Sequence, residues 1–310
     1  MKITVLLSTY NGEKYLQEQL DSLYAQDLPE GFAMEILVRD DGSSDQTVNI
    51  LEENERQGKL TFYVGENVKP AKSFWDLVQR TPASEYYAFC DQDDVWHTDK
   101  LLRAINRLRE EKEQRQPLLY CSNVTVVDSV LNPIGNMHDG HKTLYTDFAH
   151  SLIYSLAPGC TMVFNHAARE AFLRYDMNEQ FEVIHDWLAH KITAMLGTVI
   201  YDATPTMLYR QHGNNVIGAQ TGGKLKSFLK KVKRVMGSYA CVRSETAKSL
   251  YTVYQNDISE EQKHILQMVA YYRENKTLKK ELLNSSAFTS SAHGYLKWAI
   301  LKWAIRLNKV

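Results

Sequence analysis

The sequence predicts a doubly wound α/β domain, in which a mostly parallel sheet carries helices on both faces, followed by a basic helical region. Three observations predict this fold class. Strand and helix patterns alternate through the first half, acidic residues cluster directly after a buried strand, and cationic residues concentrate towards the carboxyl terminus. The 310 residues are 44% hydrophobic and 24% charged, a composition typical of a globular protein.

The strands and helices of the first half alternate in order. Apolar runs predict buried strands at residues 3–7, 34–38, 60–64, 86–90 and 118–127. Apolar residues at helical spacing predict intervening helices around residues 16–24, 48–51, 74–78 and 101–108. Ser43 and Gln46 have the spacing of a capping box before the second helix. Such a βαβα series favours a parallel sheet with its strand ends at one edge.

The pattern is looser beyond residue 130. It predicts a strand at 161–164, a helix from Asp186, and short strands at 198–201 and 207–209. We therefore divide the α/β domain, residues 1–222, into a first half at about 1–128 and a second at about 129–222.

Three carboxylates follow the strand at 86–90, namely Asp91, Asp93 and Asp94. Ligands of open α/β sheets bind at the carboxyl ends of the strands. Carboxylates this close repel one another unless a cation lies among them, and their oxygens suit Mg²⁺ or Mn²⁺. The alternative is a solvated acidic turn, with Asp94 capping the next helix. Asp40 and Asp41 follow the strand at 34–38, so we expect both clusters at the same edge.

The sequence indicates free cysteine thiols and no membrane-spanning segment. Its four cysteines form no C-x-x-C pair, which fits free thiols better than disulfides or a zinc site. The apolar amino-terminal run is too short for a signal peptide, and no stretch approaches the ~20 apolar residues of a membrane span. We expect a cytoplasmic protein, soluble or peripheral to the inner face of the cell membrane.

The near-zero net charge hides a basic region, residues 223–310. Residues 224–310 hold 17 Lys and Arg against 6 Asp and Glu, and the boundary coincides with a Gly-Gly turn at 222–223. Two stretches predict basic amphipathic helices: residues 224–236, and a second in which Leu296, Ile300, Trp303 and Leu307 form one stripe opposite Lys302, Arg306 and Lys309. Such helices bind anionic membrane interfaces. The alternatives are ordinary packing or a homo-oligomer contact, whereas nucleic acid is disfavoured because no aromatic residues interleave along a basic groove.

Five motifs occur in order along the chain: STYNG at 8–12, DDGSSD at 40–45, DQDDVW at 91–96, HDW at 185–187 and RQHGNN at 210–215. Together they closely resemble the family 2 inverting glycosyltransferases with the GT-A fold, and more narrowly the rhamnosyltransferases of bacterial cell-wall and surface polysaccharide synthesis. The resemblance covers about residues 1–217.

The resemblance implies a nucleotide-sugar site. Thr9, Tyr10 and Asn11 would line the base and ribose pocket, and Asp41 would accept from the base. Asp91 and Gln92 would hold the ribose or a metal-bound water. Asp93 would coordinate Mn²⁺ or Mg²⁺, with His212 as a further metal or diphosphate contact. For Asp40 and His212 the sequence alone leaves turn chemistry and an ordinary loop histidine open.

The acceptor side is implied by His185-Asp186-Trp187. Asp186 would be the general base of a single inverting displacement, and the alternative is a plain helix cap. Trp187 and Trp96 are candidate acceptor platforms. The family more often has Glu at the position of His185, so the role of that residue stays open.

The sequence thus predicts a metal-dependent inverting glycosyltransferase that moves a sugar, expected to be L-rhamnose from dTDP-L-rhamnose, onto a glycan or lipid-linked glycan. Alternatives are a UDP-sugar donor, or a non-catalytic membrane-bound carbohydrate-binding relative. A nucleotidyltransferase or phosphohydrolase would need a Lys- or Gly-rich phosphate loop, which residues 8–12 lack.

Overall fold

The computed structural model describes residues 1–138, 146–154, 156–177, 184–211, 241–288 and 295–309, without the side chains of 295–300. The described strands are β1 (Lys2–Thr9), β2 (Ala33–Asp40), β3 (Thr61–Val64), β4 (Tyr86–Asp91), β5 (Val95–Trp96), β6 (Leu118–Val127), β7 (Pro133–Asn136), β8 (Val163–Asn165) and β9 (Thr198–Arg210). The described helices are α1 (Leu16–Tyr24), α2 (Thr47–Arg56), α3 (Lys69–Arg80), α4 (Lys100–Arg109), α5 (Phe148–Ile153), α6 (His166–Leu173), α7 (His185–Leu196), α8 (Val242–Tyr254), α9 (Glu260–Tyr271), α10 (Lys276–Asn284) and α11 (Tyr295–Arg306).

The strands form one sheet in the order β3-β2-β1-β4-β8-β6-β9-β5, with β7 on β6. The first four, β3-β2-β1-β4, are parallel, as the alternating pattern predicts. Beyond them β8 is antiparallel to both β4 and β6, while β6 and β9 are parallel. The α/β fold class is confirmed, and the second half makes the sheet mixed.

Helices cover both faces of the sheet, because side chains of successive strand residues point to opposite sides. In β1, Val5 and Leu7 join the core cluster that contains residues of α1, α2 and α4. Leu6 lies between them and joins the cluster on the other face, with residues of α3, α5, α6 and α7. The two-layer covering predicted from the sequence is therefore confirmed.

Several local predictions were wrong. Ser43 does not form the predicted capping box: α2 begins at Thr47 without a side-chain cap, and the Ser43 hydroxyl donates to Asp40 at 2.5 Å. The two strands predicted at 198–201 and 207–209 are one strand, β9. The two-residue strand β5 was missed because it is too short for a periodicity.

The carboxyl-terminal helices share the core of the α/β domain. Buried residues of α8 to α11 belong to the same cluster as those of α3 and α5 to α7. The Tyr254 hydroxyl donates to the carbonyl of Ala171 at 2.8 Å, and the Gln262 amide donates to that of Met195 at 2.8 Å. The boundary at residue 222 stays a prediction, but the helices beyond it are packed onto the domain. The predicted helix at 224–236 lies outside the described residues.

Candidate active site

The strand register brings the two acidic clusters to the same edge. Thr9, at the end of β1, pairs with Asp40 of β2, and Ser8 pairs with Asp91 of β4. Asp91 ends its strand, and the acidic turn continues to β5, which pairs with β9 through Val95. The turn is therefore anchored by a strand on either side.

Asp91, Asp94 and Cys160 lie together below this edge, and we call these three residues the acidic cluster. Their potential ligand atoms all lie within 4.8 Å of one another. Asp94 is 1% exposed, and its Oδ1 accepts from the backbone N–H of Arg210 at 3.0 Å. The second oxygen, Oδ2, is buried and has no hydrogen-bond partner among the described residues. Asp94 does not cap the following helix, since α4 has Asp99 at its N-cap.

Mutual repulsion and burial perturb these carboxyl groups. Burial, then Asp93 and Asp186, raise the pKa of Asp91 to about 7. Burial, then Asp93 and Asp91, raise the pKa of Asp94 well above its ordinary value. Burial also raises the pKa of the Cys160 thiol, which leaves it protonated and a poor ligand for a hard cation. Clustered carboxylates with an unpartnered buried oxygen fit Mg²⁺ or Mn²⁺.

A buried lysine lies beneath the cluster. Nζ of Lys100 donates to the carbonyl of Cys160 and lies 3.4 Å from the ring centroid of Trp96. Burial lowers the pKa of Lys100 to about 8. Trp96 is 3% exposed and part of the core, so its ring does not present the acceptor platform expected from the sequence.

Gln92 holds the end of β1. Its Oε1 accepts from the Thr9 hydroxyl at 2.5 Å and from the Tyr10 N–H at 2.8 Å, and its amide donates to the Tyr10 carbonyl at 3.1 Å. Tyr10 is 47% exposed. Asn11 accepts from the N–H of Ser44 at 2.9 Å. The predicted nucleotide residues therefore lie together, and the donor contacts themselves stay predictions.

Asp40 and Asp41 have structural partners. Asp40 accepts from the N–H groups of Gly42 at 3.1 Å and Ser43 at 2.8 Å, which is the turn chemistry open from the sequence. Asp41 is 3% exposed and pairs with Arg39. It also accepts from the N–H groups of residues 68 and 69 at 3.0–3.2 Å. The carboxylate of Asp41 thus fixes the loop before α3, and its contact to a base stays a prediction.

Asp186 lies in the first turn of α7, and its negative charge contributes to the raised pKa of Asp91. Its Oδ2 accepts from the N–H of Gly159 at 3.1 Å, and its Oδ1 from the N–H of Trp187 at 2.7 Å. The hydrogen bond from Trp187 shows that Asp186 also accepts from a backbone N–H group in the first turn of α7. Burial raises its pKa to about 6 despite these hydrogen bonds. A carboxylate with a pKa near neutrality is suited to take a proton at physiological pH.

His185, which stands where the family more often has Glu, is an aromatic packing residue in this structure. Its ring stacks on Phe74 with 4.0 Å between centroids, and burial lowers its pKa to about 3. Neither ring nitrogen has a partner among the described residues. A neutral imidazole supplies no charge to the site.

Arg210 opens the RQHGNN motif, but its role in the site was not predicted from the sequence. Its Nε donates to the carbonyl of Asp93 at 2.8 Å and its Nη1 to that of Ser129 at 2.9 Å, while Nη2 pairs with Glu18. The guanidinium, 2% exposed as a side chain, locks the backbone of the acidic turn. The available signal was an arginine directly after the apolar residues 207–209. His212, two residues later, lies outside the described residues.

The fold and the site define a glycosyltransferase of the GT-A class. Residues 4–170 match the family described as Glycosyl transferase family 2. The dTDP-rhamnosyl transferase RfbG of Shigella flexneri is 32% identical over 241 residues, which are 71% of this chain and 76% of the relative. The chain therefore belongs to glycosyltransferase family 2.

Solved structures show the same fold at low identity. Staphylococcus aureus TarS 1-349 in complex with UDP-GlcNAc has a TM-score of 0.59 at 17% identity, covering 100% of this chain and 82% of that one. The mannosyltransferase PcManGT from Pyrobaculum calidifontis, in complex with GDP-Man and Mn²⁺, has a TM-score of 0.51 at 16% identity, covering 99% and 84%. No helix within the described ranges is long and apolar enough to cross a membrane.

Proposed function

We propose that this enzyme is a metal-dependent inverting rhamnosyltransferase, which transfers L-rhamnose from dTDP-L-rhamnose to a glycan or lipid-linked glycan acceptor in bacterial polysaccharide biosynthesis. The observation that carries the proposal is that a candidate base, Asp186, lies close enough to the acidic cluster for their charges to interact. Asp186 is a buried carboxylate with a pKa of about 6, and its negative charge helps to raise the pKa of Asp91 in the acidic cluster. Asp186 would thus be a proton acceptor close to the residues that would bind the donor, without being one of them.

Asp186 acts as the base in a single displacement. An acceptor hydroxyl loses its proton to the carboxylate as its oxygen bonds to the anomeric carbon, and the bond from that carbon to the nucleoside diphosphate breaks with inversion. The N–H groups of Gly159 and Trp187 hold the carboxylate in place for this transfer. Trp187, half-buried beside the base, is the acceptor platform.

The acidic cluster would hold the divalent ion. Asp91 and Asp94, whose ligand atoms lie together, would bind it, the latter through its unpartnered Oδ2. Asp93 is not one of the residues that the structure brings together there, so its place as a further ligand rests on the family resemblance, as does the contact of His212 to the ion or the diphosphate. When bound, the ion offsets negative charge on the departing diphosphate. Thr9, Tyr10, Asn11 and Asp41 would line the base and ribose pocket, with Gln92 fixing the end of β1.

The donor assignment rests on the similarity to RfbG over most of both chains. A UDP-sugar is the second candidate, because the TarS structure holds UDP-GlcNAc. Thermal shift assays with dTDP-rhamnose and UDP-sugars, each with and without Mn²⁺, separate the two. A ligand at 100 times its dissociation constant adds about 2.7 kcal/mol to the free energy of unfolding. Stabilisation by UDP-sugars alone would replace the rhamnose assignment.

Paired variants test the two halves of the site. Asp186→Asn is expected to keep Mn²⁺-dependent dTDP binding and to lose transfer by roughly 10² to 10⁴. Asp93→Asn is expected to lose that binding, because it removes an anionic ligand. Calorimetry and a turnover assay measure both effects. Near-normal turnover in Asp186→Asn would reduce that residue to a helix-terminus role.

The proposed location is the inner face of the cell membrane, reached through the carboxyl-terminal region. Helix α11 packs through Leu301, Ala304 and Ile305, which lie in the core. Trp303 and Leu307 of the predicted stripe are each 43% exposed, so this stripe is not the face that packs in the core, and Arg306 is exposed as well. The helix can therefore offer an apolar and cationic surface to anionic lipid without leaving the core. The rest of the predicted stripe, Leu296 and Ile300, lies outside the described side chains.

A further inference from the structure

Two cationic side chains flank Trp187 beside the proposed base. Nζ of Lys191 lies 5.1 Å, and Cζ of Arg243 5.9 Å, from a ring centroid of the indole. Lys191 lies one turn further along α7, whereas Arg243 lies in the first turn of α8. Cations from two separate helices thus meet at one aromatic ring, next to Asp186.

The ammonium of Lys191 has no ion-pair partner among the described residues. The residue is 3% exposed, and its described hydrogen bond runs to the Trp187 carbonyl at 3.5 Å, at the outer limit for such a bond. Burial and then Arg243 lower the pKa of Lys191 to about 7, against the attraction of Asp186. A buried ammonium without a counter-ion is costly, so an anion that reaches Lys191 would be stabilised.

Arg243 is oriented by the end of α5. Its Nε donates to the carbonyl of Ile153 at 3.0 Å, which fixes the plane of the guanidinium. A fixed guanidinium matches the geometry of a carboxylate or phosphate, while an indole ring matches the apolar face of a sugar. The combination is better suited to an anionic sugar than to a neutral one.

We propose that Trp187, Lys191 and Arg243 form an acceptor subsite for a sugar residue that carries an anionic group, either a carboxylate of the sugar or a phosphate at its linkage. This inference rests on the proposed function, since it takes Asp186 to mark the acceptor side. The anion lies between the two cations, and the sugar stacks on the indole.

The test is anion binding by the full chain in metal-free buffer without nucleotide, followed through the indole N–H resonance of Trp187. That resonance is identified by its absence in Trp187→Phe. Titration with inorganic phosphate or glucuronate is expected to give a saturable shift. Lys191→Met and Arg243→Gln should each weaken binding about tenfold, the usual worth of a charged hydrogen bond. Lys191→Arg should bind within a few-fold of wild type.

The matched control is Lys248→Met, a lysine of α8 that pairs with Glu274 away from the indole. Wild-type affinity is expected there. Tighter binding of phosphate identifies a linkage phosphate, and tighter binding of glucuronate identifies an acidic sugar. An unsaturable shift, or equal affinities in Lys191→Met and Lys248→Met, overturns the subsite. Should Lys191→Met fail to fold, Arg243→Gln decides alone. Because no metal or nucleotide is present, this result is independent of the Asp186 and donor-binding tests.

Discussion

The backbone N–H of Gly159 donates to Oδ2 of Asp186 at 3.1 Å, and the residue after Gly159 is Cys160 of the acidic cluster. One 3-10 turn, Gly159–Thr161, therefore connects the proposed base to the proposed metal site. The turn also leaves no room for a larger residue. A Cβ on Gly159 would lie 2.6 Å from Nε2 of His185 and 3.2 Å from Cβ of Asp186.

Gly159→Ala should consequently displace Asp186 and lower transfer by at least about tenfold, since misplacement of a catalytic group is costly. Mn²⁺-dependent dTDP binding should change less than transfer does, because Thr9, Asp41 and Asp91 lie at the ends of β1, β2 and β4 and not in this turn. Steady-state kinetics with calorimetry measures the two quantities. An unchanged kcat would show that His185 yields and that the position of Asp186 is not set by this turn.

The pH dependence of transfer should follow Asp186. With a pKa of about 6, the base is ionised above this pH and protonated below it. The rate at saturating donor should therefore fall on the acidic side with an apparent pKa near 6. A profile that stays flat down to pH 5 would exclude Asp186 as the titrating base.

The same shift predicts a stability cost. The folded-state pKa of about 6 is higher than the ~3.9 of an unfolded aspartate, so ionisation favours the unfolded chain. The cost is absent below about pH 4 and fully present above about pH 6, at most about 3 kcal/mol. Asp186→Asn should then raise the melting temperature at pH 8 and leave it unchanged at pH 4. Equal changes at both pH values would contradict the buried, perturbed carboxyl.

The sequence predicts the parallel half of the fold well because each strand there is an apolar run and each helix has a regular stripe. The same patterns predict that Asp40 and Asp91 lie at the same edge of the sheet, since parallel strands end together. Gln92 and Asp41 show the limit of this reasoning. Their residue types suit a ligand, but only the three-dimensional structure shows that Gln92 is hydrogen-bonded to the end of β1 and that Asp41 is paired with Arg39.

Buried charges were the least predictable residues. Lys100 and Arg210 look like surface residues in the sequence, and both are buried against the acidic turn. Their environment is made by segments distant in the chain, such as Cys160 for Lys100 and Glu18 for Arg210. No local periodicity carries that information.

Arg210→Met should destabilise the protein by about 3 kcal/mol or more, because it leaves the carbonyl groups of Asp93 and Ser129 without a buried donor. It should also weaken Mn²⁺-dependent dTDP binding. The control, Arg107→Met, removes an exposed i,i+3 pair with Glu110 and should cost under about 0.5 kcal/mol. Denaturant unfolding and calorimetry provide the measurements. Similar unfolding free energies for the two variants would mean that Arg210 does not lock the acidic turn.

Substitutions on the two sides of α11 should have opposite effects, one side affecting membrane binding and the other affecting stability. Trp303→Ser with Leu307→Ser changes exposed side chains, so the melting temperature should hold while binding to anionic vesicles weakens at least about tenfold. Leu301→Ala or Ile305→Ala changes buried ones and should cost about 2–5 kcal/mol of unfolding free energy. These point variants are sharper than truncation at residue 222, which would expose the shared core.

Vesicle co-sedimentation at low and high salt measures membrane binding, and thermal unfolding measures stability. Binding of the wild type should fall with salt. If the wild-type chain stays in the supernatant at low salt, while the Trp303 and Leu307 variant loses a dimer in light scattering, the outer face of α11 is a contact between subunits instead.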